Sequence, residues 1–312
     1  MTRAAQSATF RWDDIDVQGW APTKRALHRY AQMLGKLRVA GSPAEPNWMF
    51  TALYLSPRGF RTGPIPCGLQ AFEATIDVFA AEMVLQRSDG REARIALAGA
   101  ETVAAVYAQL RSALGALDVD CVLDPAPQEV PDATPLDEDV DRAEWDAVAV
   151  ARWFGVSTAV ADLFQRWRAR FFGRSGVQLW WGAFDLSLML FSGKHAPAPL
   201  DRGYLLKYDL DAELMNAGLY YGDDSTAPFF YGYVHPEPPN APALGIAPDG
   251  ASWSSALHEW VLPYETVRTS ADPPAAIGAF LDALYGQCVG AAGWDRAALS
   301  YEAPKRKRAV IA

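Results

Sequence analysis

The sequence predicts an α+β protein made of two related helix–antiparallel sheet–helix halves packed into one compact unit. Three observations predict this. Strand-like runs come in groups flanked by helices, and this grouping favours antiparallel sheets over a doubly wound parallel one. The order helix, aromatic strand, further strands, amphipathic helix occurs twice, over 23–118 and 145–293. The chain of 312 residues, 50% hydrophobic and 21% charged, is long enough for two intimate parts with a shared core.

The organisation read from this pattern is an N-terminal extension (1–22), a first repeat (23–123), an acidic proline-rich connector (124–144), a second repeat (145–300) and a basic tail (301–312). In the first repeat, Leu27, Tyr30, Leu34 and Leu37 recur at helical spacing, and Gly41-Ser42-Pro43 stops the helix. The apolar run 48–56 predicts a buried strand, ending at the turn Arg58-Gly59. Strands at 71–79, 82–88 and 92–97 follow, the last two joined by the hairpin turn Ser88-Asp89-Gly90-Arg91. Val103, Val106, Tyr107, Leu110, Leu114 and Leu117 form the apolar stripe of a closing helix.

The second repeat has a long opening helix, about 146–172, with Trp153, Phe154, Val160 and Phe164 on it. One strand is expected over 177–191, others near 213–221, 229–235 and 258–267. Asp272-Pro273 reads as an N-cap followed by proline at the first helical position. The connector, with Pro125, Pro127, Pro131 and Pro135 before Asp137, Glu138, Asp139 and Asp141, reads as a solvated linker. The proline-rich stretch 236–256 reads as a lid or a surface excursion.

Composition excludes several classes. A net charge of −9 argues against nucleic-acid binding. No run of eighteen apolar residues predicts a membrane span, and no secretory signal is evident, so a cytoplasmic location is expected. The three cysteines, Cys67, Cys121 and Cys288, are far apart and fit a reducing compartment. Lys305, Arg306, Lys307 and Arg308 read as a solvated tail. Phosphate-binding glycine loops, HExxH and GxSxG are all absent, and no organic cofactor is implied.

Three features carry candidate chemistry. Asp185 stands in an otherwise apolar strand, Trp180-Trp181-Gly182-Ala183-Phe184-Asp185-Leu186-Ser187-Leu188. A carboxylate there must be paired, hydrogen-bonded or protonated. It is read either as an acid–base or anchoring group, or as half of a structural ion pair with Arg58 or Arg61. His235 and Glu237, two residues apart in His235-Pro236-Glu237-Pro238, could share one side of an extended chain. With His195 or His258-Glu259 they form a mixed set that could take a metal, against a plain strand end capped by prolines. His28, beside Arg25 and Arg29, reads as a helix-face residue. The third feature is the concentration of aromatics in 177–191 and 219–233, with Trp180, Trp181, Tyr221, Tyr231 and Tyr233 as candidate ligand contacts.

With Trp48 to Arg58-Gly59, Thr62-Gly63-Pro64-Ile65-Pro66, Trp181-Gly182-Ala183-Phe184-Asp185-Leu186, Phe191-Ser192-Gly193, Pro236-Glu237-Pro238, Leu262-Pro263-Tyr264 and Val267-Arg268, the chain resembles an uncharacterised bacterial family of unknown function over nearly its whole length. The resemblance favours Arg58, Asp185 and Glu237 as members of a shared pattern. It implies tyrosine at the place of His235 and a basic residue at that of His195, which counts against the metal set. It brings no activity. The expectation is a small-molecule-binding protein or cofactor-free enzyme with an aromatic pocket between the halves. Asp185, His235 and Glu237 would be its acid–base groups, and Arg58 an anion contact. The alternatives are an interaction protein using its aromatics for a partner or homodimer, and a metal-dependent enzyme built on His235 and Glu237.

Overall fold

The computed structural model describes residues 11–197 and 208–302. Residues 1–10 of the expected extension and Lys305 to Arg308 of the basic tail lie outside the described residues.

Helix α1 (Ala21–Gly41) enters through Pro22 and presents Leu27, Tyr30, Leu34 and Leu37 to the core. A 3-10 turn (Pro46–Thr51) leads to β1 (Tyr54–Ser56), β2 (Gly59–Arg61), β3 (Ile65–Cys67), β4 (Gln70–Asp77), β5 (Glu82–Arg87) and β6 (Glu92–Ala96). Helix α2 (Val103–Ala116) is capped by Thr102, whose Oγ1 accepts from Ala105 N at 3.1 Å. Helix α3 (Ala147–Arg168) is capped by Asp146, which accepts from Val148 N and Ala149 N. The second sheet comprises β7 (Arg174–Trp180), β8 (Asp185–His195), β9 (Ala212–Tyr220), β10 (Phe229–His235), β11 (Ser252–Ser254) and β12 (Glu259–Pro263). Helices α4 (Tyr264–Arg268), α5 (Pro273–Ala283) and α6 (Arg296–Leu299) close the chain, with a π-helical turn (Leu284–Val289) after α5. The Asp272 cap accepts from Ala275 N at 3.0 Å, and two prolines open the helix behind it.

Both sheets are antiparallel. The first runs β1-β2-β4-β5-β6, with β3 also paired to β4; the second runs β11-β12-β10-β9-β8-β7. Leu53 and Leu179 exchange backbone hydrogen bonds of 3.0 and 2.9 Å, joining the sheets at neighbouring edges. The protein is therefore α+β, with helices packed on the inner face of the sheets. Helix α3 is the keystone. Trp153 meets Phe60 of β2 edge-on at 6.0 Å, stacks on Phe184 at 5.3 Å and touches Tyr221 at 5.6 Å, so one side chain ties both sheets together. By length and composition α3 is apolar enough to cross a membrane, and Trp153, Val156, Val160 and Phe164 of it are buried in this core.

Four local expectations are corrected. The run 48–56 is not one strand: Asn47 and Trp48 take left-handed backbone (φ 55° and 54°), and only Tyr54–Ser56 is extended. Pro46 opens the turn, and Thr51 Oγ1 donates to Trp48 O at 2.9 Å. The run 177–191 is a hairpin, broken at residues 181–184, where Phe184 has φ 56°. Periodicity could not show this, because the turn residues are as apolar as the strands they join. The stretch 258–267 is strand to Pro263, then helix α4. The connector is not a solvated linker. Arg25 and Arg29 of α1 bind Asp132 and Asp139, Lys36 binds Asp124, and Leu136 is fully buried. Its acidity matches a basic face of α1.

Candidate functional site

Strand alternation puts Leu186, Leu188 and Leu190 of β8, Met215, Ala217 and Leu219 of β9, and Phe230 and Val234 of β10 toward the helices. The opposite face therefore carries Asp185, Ser187 and Met189, then Asn216, Gly218 and Tyr220, then Phe229, Tyr231 and Tyr233, with Glu259 from β12. It is the floor of a cavity of about 1160 Å³. The end of α1 and its following turn (Val39, Ser42, Ala44, Trp48, Phe50, Thr51) form one wall. Gln128 and Glu129 of the connector, the hairpin residues 180–183, and Asp209, Asp223 and Leu257 complete it.

The floor is built around one hydrogen bond. Tyr231 faces Gly218 across β9–β10, and its ring crosses that position so that its hydroxyl donates to Asp185 Oδ2 on the next strand. Only glycine allows the crossing: a Cβ on Gly218 would stand 2.4 Å from the Tyr231 ring. Trp180, the cross-strand neighbour of Asp185, donates through Nε1 to Ser187 Oγ at 2.9 Å. Asn216 Nδ2 donates to Tyr233 Oη at 3.2 Å, whereas Asn216 Oδ1 is buried with no partner among the described residues.

The hairpin turn is latched from α1. His28 Nε2 lies 2.9 Å from both Trp181 O and Gly182 O. Burial, opposed by these two bonds, lowers its pKa to about 4, so the ring is neutral and Nε2–H donates. Gln32 Nε2 donates to Trp181 O and Gln128 O, and its Oε1 accepts from Gln128 N, clamping turn and connector to one side chain. Gly35 leaves room for the Trp181 indole, which donates to Thr51 O at 3.0 Å. His28 is thus not a free helix-face residue but part of the support of this wall.

The electrostatics are one-sided. Burial raises Asp185 to about 7; the Tyr231 hydrogen bond opposes the rise, and the charges of Glu129 and Asp209 add to it. Burial also raises Asp209 and Glu259 to about 7, helped by Glu129 and Asp211 in the first case and by Asp185 in the second. Desolvation raises Glu129, whose carboxyl is pressed against Gly182 at the mouth. Asp223 behaves oppositely: burial is outweighed by hydrogen bonds from Tyr220 and Ser225, which lower it to about 2. Tyr231 is raised well above 10 by burial and by Asp185, so it keeps its proton. No lysine, arginine or histidine lines the cavity among the described residues. Two lining residues that are not glycine, Trp48 and Glu129, hold left-handed backbone, and so do Asn47, Phe184 and His258, each next in sequence to a lining residue. Such conformations cost about 1–3 kcal/mol each and persist where the surrounding structure fixes them.

Of the residues singled out from sequence, Asp185, Trp180, Trp181, Tyr231 and Tyr233 line this one cavity. Arg58 does not: it binds Asp77 at 2.5 Å beside the β4–β5 turn, and Arg61 binds Glu73, so neither pairs with Asp185. Tyr221 lies beneath the floor, its hydroxyl 2.8 Å from Ser157 Oγ. His235 and Glu237 do not converge. Burial lowers the pKa of His235, opposed by backbone groups of Pro197 and Leu210, and Glu237 accepts from His258 Nδ1 at 2.9 Å. The prolines after His235 carry the chain off the sheet, so the same-side geometry of an extended strand no longer applies there. His195 is exposed at the end of β8. No group of three or more His, Cys, Asp or Glu is placed to hold a metal among the described residues. Sequence reasoning missed Glu129, Asp209 and Asn216, and it placed Glu259 in a metal set with His235 and Glu237 rather than in this cavity. The unexplained Gly218 inside an aromatic strand was the one local signal, as it marks a close approach.

No curated protein and no solved structure matches the chain. The model of a family of unknown function, DUF5996, matches residues 12–301, and the chain belongs to that family.

Proposed function

We propose that this chain binds a small organic molecule in the cavity over β8–β10, with the Asp185–Tyr231 pair as its polar anchor. One observation carries this reading. A concave space of about 1160 Å³ joins eight aromatic side chains to a few convergent polar groups, including a carboxyl that titrates near neutrality. Ligand sites are of this kind, with volumes of roughly 300–1,000 Å³, and this one is a half-open cleft slightly above that range. Perturbed carboxyls in a cleft are a further mark of such sites. The interaction alternative has less support. The aromatics of β9 and β10 lie in the core or in the cavity, and the exposed pair Phe172 and Tyr301, 5.4 Å apart, stands away from those strands.

The test is a fragment library screened by ligand-observed NMR on the full chain and on Ala44→Trp, which fills the mouth from an exposed loop. Binding seen with the natural chain and lost in the variant is expected. A library with no fragment that behaves this way would overturn the proposal. Acid–base catalysis in the same cavity is a second reading, favoured by a general base within reach of neutral pH at Asp185. Its sign would be slow conversion of a bound fragment, abolished by Asp185→Asn.

A further inference from the structure

We infer that the cavity selects an organic cation, a protonated amine on an apolar body, which it holds between its aromatic walls and its carboxyl groups. This deepens the reading of the cavity as a ligand site and rests on it.

The first ground is the lining. Asp185, Glu129, Asp209 and Glu259 face one space, and no basic side chain lines it among the described residues. The lysines behind the wall are engaged elsewhere. Lys24 donates to Gly222 O and lies 5.6 Å from the Tyr220 ring, near Asp223; Lys36 pairs with Asp124 at 3.3 Å behind Trp181. A space enclosed by carboxyls is poorly occupied by an anion, and a neutral guest leaves their mutual repulsion in place. A cation relieves it.

The second ground is independent of charge. Asn216 lines the cavity and is 6% exposed, and its buried Oδ1 has no donor among the described residues. A buried acceptor left unmade costs about 1–3 kcal/mol, and an ammonium N–H satisfies it. The third ground is the walls: the faces of Trp and Tyr rings attract cations, more strongly where water is excluded.

The experiment titrates two charge series into the full chain near pH 8 by calorimetry. One is tryptamine, indole-3-ethanol and indole-3-acetate; the other is 1,8-diaminooctane, 1,8-octanediol and suberate. In at least one series the amine is expected to bind about 10- to 100-fold tighter than its alcohol, as charge-assisted hydrogen bonds predict, with the acid weakest. Glu259→Gln and Asn216→Leu should each weaken the amine and leave the alcohol nearly unchanged. The wild-type series decides even if a variant fails to fold. Alcohols bound as tightly as their amines in both series, or a preferred acid in either, overturn the cation class while leaving the cavity a binding site. Amines that fail to bind a protein whose cavity takes neutral fragments overturn it equally. If neither the amines nor any fragment enters the cavity, the underlying binding proposal falls as well.

Discussion

Replacing Asp185 by asparagine should stabilise the ligand-free protein at neutral pH. Asp185 is 6% exposed, and burial shifts its titration from 3.8 to about 7. Between those values the folded chain keeps a proton that the unfolded chain has released. Stability therefore falls as pH rises through this window, because the folded state binds more protons there. An offset of about 3 pH units, at about 1.36 kcal/mol each, sets a ceiling of about 4 kcal/mol on what the ionised carboxylate costs above pH 7. Asparagine has the shape of the protonated acid and still accepts from Tyr231. Urea denaturation of both proteins should show a gap of about 1–2 kcal/mol already at about pH 5, widening toward the ceiling by about pH 8, with the two matching only below the unfolded value of 3.8. Asp209 and Glu259, also raised to about 7, act in the same direction, so the natural chain should be more stable near pH 5 than near pH 8. An Asp185→Asn protein less stable than the natural one at pH 8 would refute this reasoning, since it would mean the carboxylate has a stabilising partner.

Tyr231→Phe removes the donor to Asp185. It should cost about 1–3 kcal/mol at pH 8, where the carboxylate is charged, and less at pH 5, with the Asp185 titration moving higher when followed by carboxyl-carbon NMR. Gly218→Ala places a Cβ 2.4 Å from the Tyr231 ring. Overpacking of this kind costs about 1–3 kcal/mol, and the same NMR experiment should show Asp185 displaced from its donor. Arg29→Met leaves Asp139, 1% exposed, with Arg25 as its remaining partner. A urea melt should show a loss of about 3–5 kcal/mol, and hydrogen exchange should quicken in the connector around Glu129.

How much of the site could be read in advance differs from residue to residue. Asp185 was visible because a carboxylate within an apolar run violates the pattern around it. The pairing of Arg58 was not, because β2 and β4 lie side by side and offer it Asp77 at 2.5 Å, far closer in sequence than any group of the second sheet. His235 and Glu237 looked like a pair only on the assumption of a straight strand. Glu129 sat in a segment whose prolines and acids resemble a linker, and only the basic face of α1 reveals that it packs.

The sequence by itself determined the class of the protein: strands and helices grouped as α+β, a cap at Asp272 before α5, alternating faces on β8 to β10, and an isolated buried acid. These follow from local periods of two and 3.6 residues, from capping and from composition, all of which neighbours along the chain specify. Only the tertiary structure decided that Glu129, Asp185, Asp209 and Glu259 share one cavity, that Tyr231 reaches Asp185 over Gly218, and that Asn216 Oδ1 is buried with no donor among the described residues. These groups are far apart in sequence, and no local interaction encodes their meeting. They converge because strand register, the turn at 181–184 and the clamp of Gln32 fix three distant segments against one another, and the same burial brings the carboxyl titrations toward neutrality.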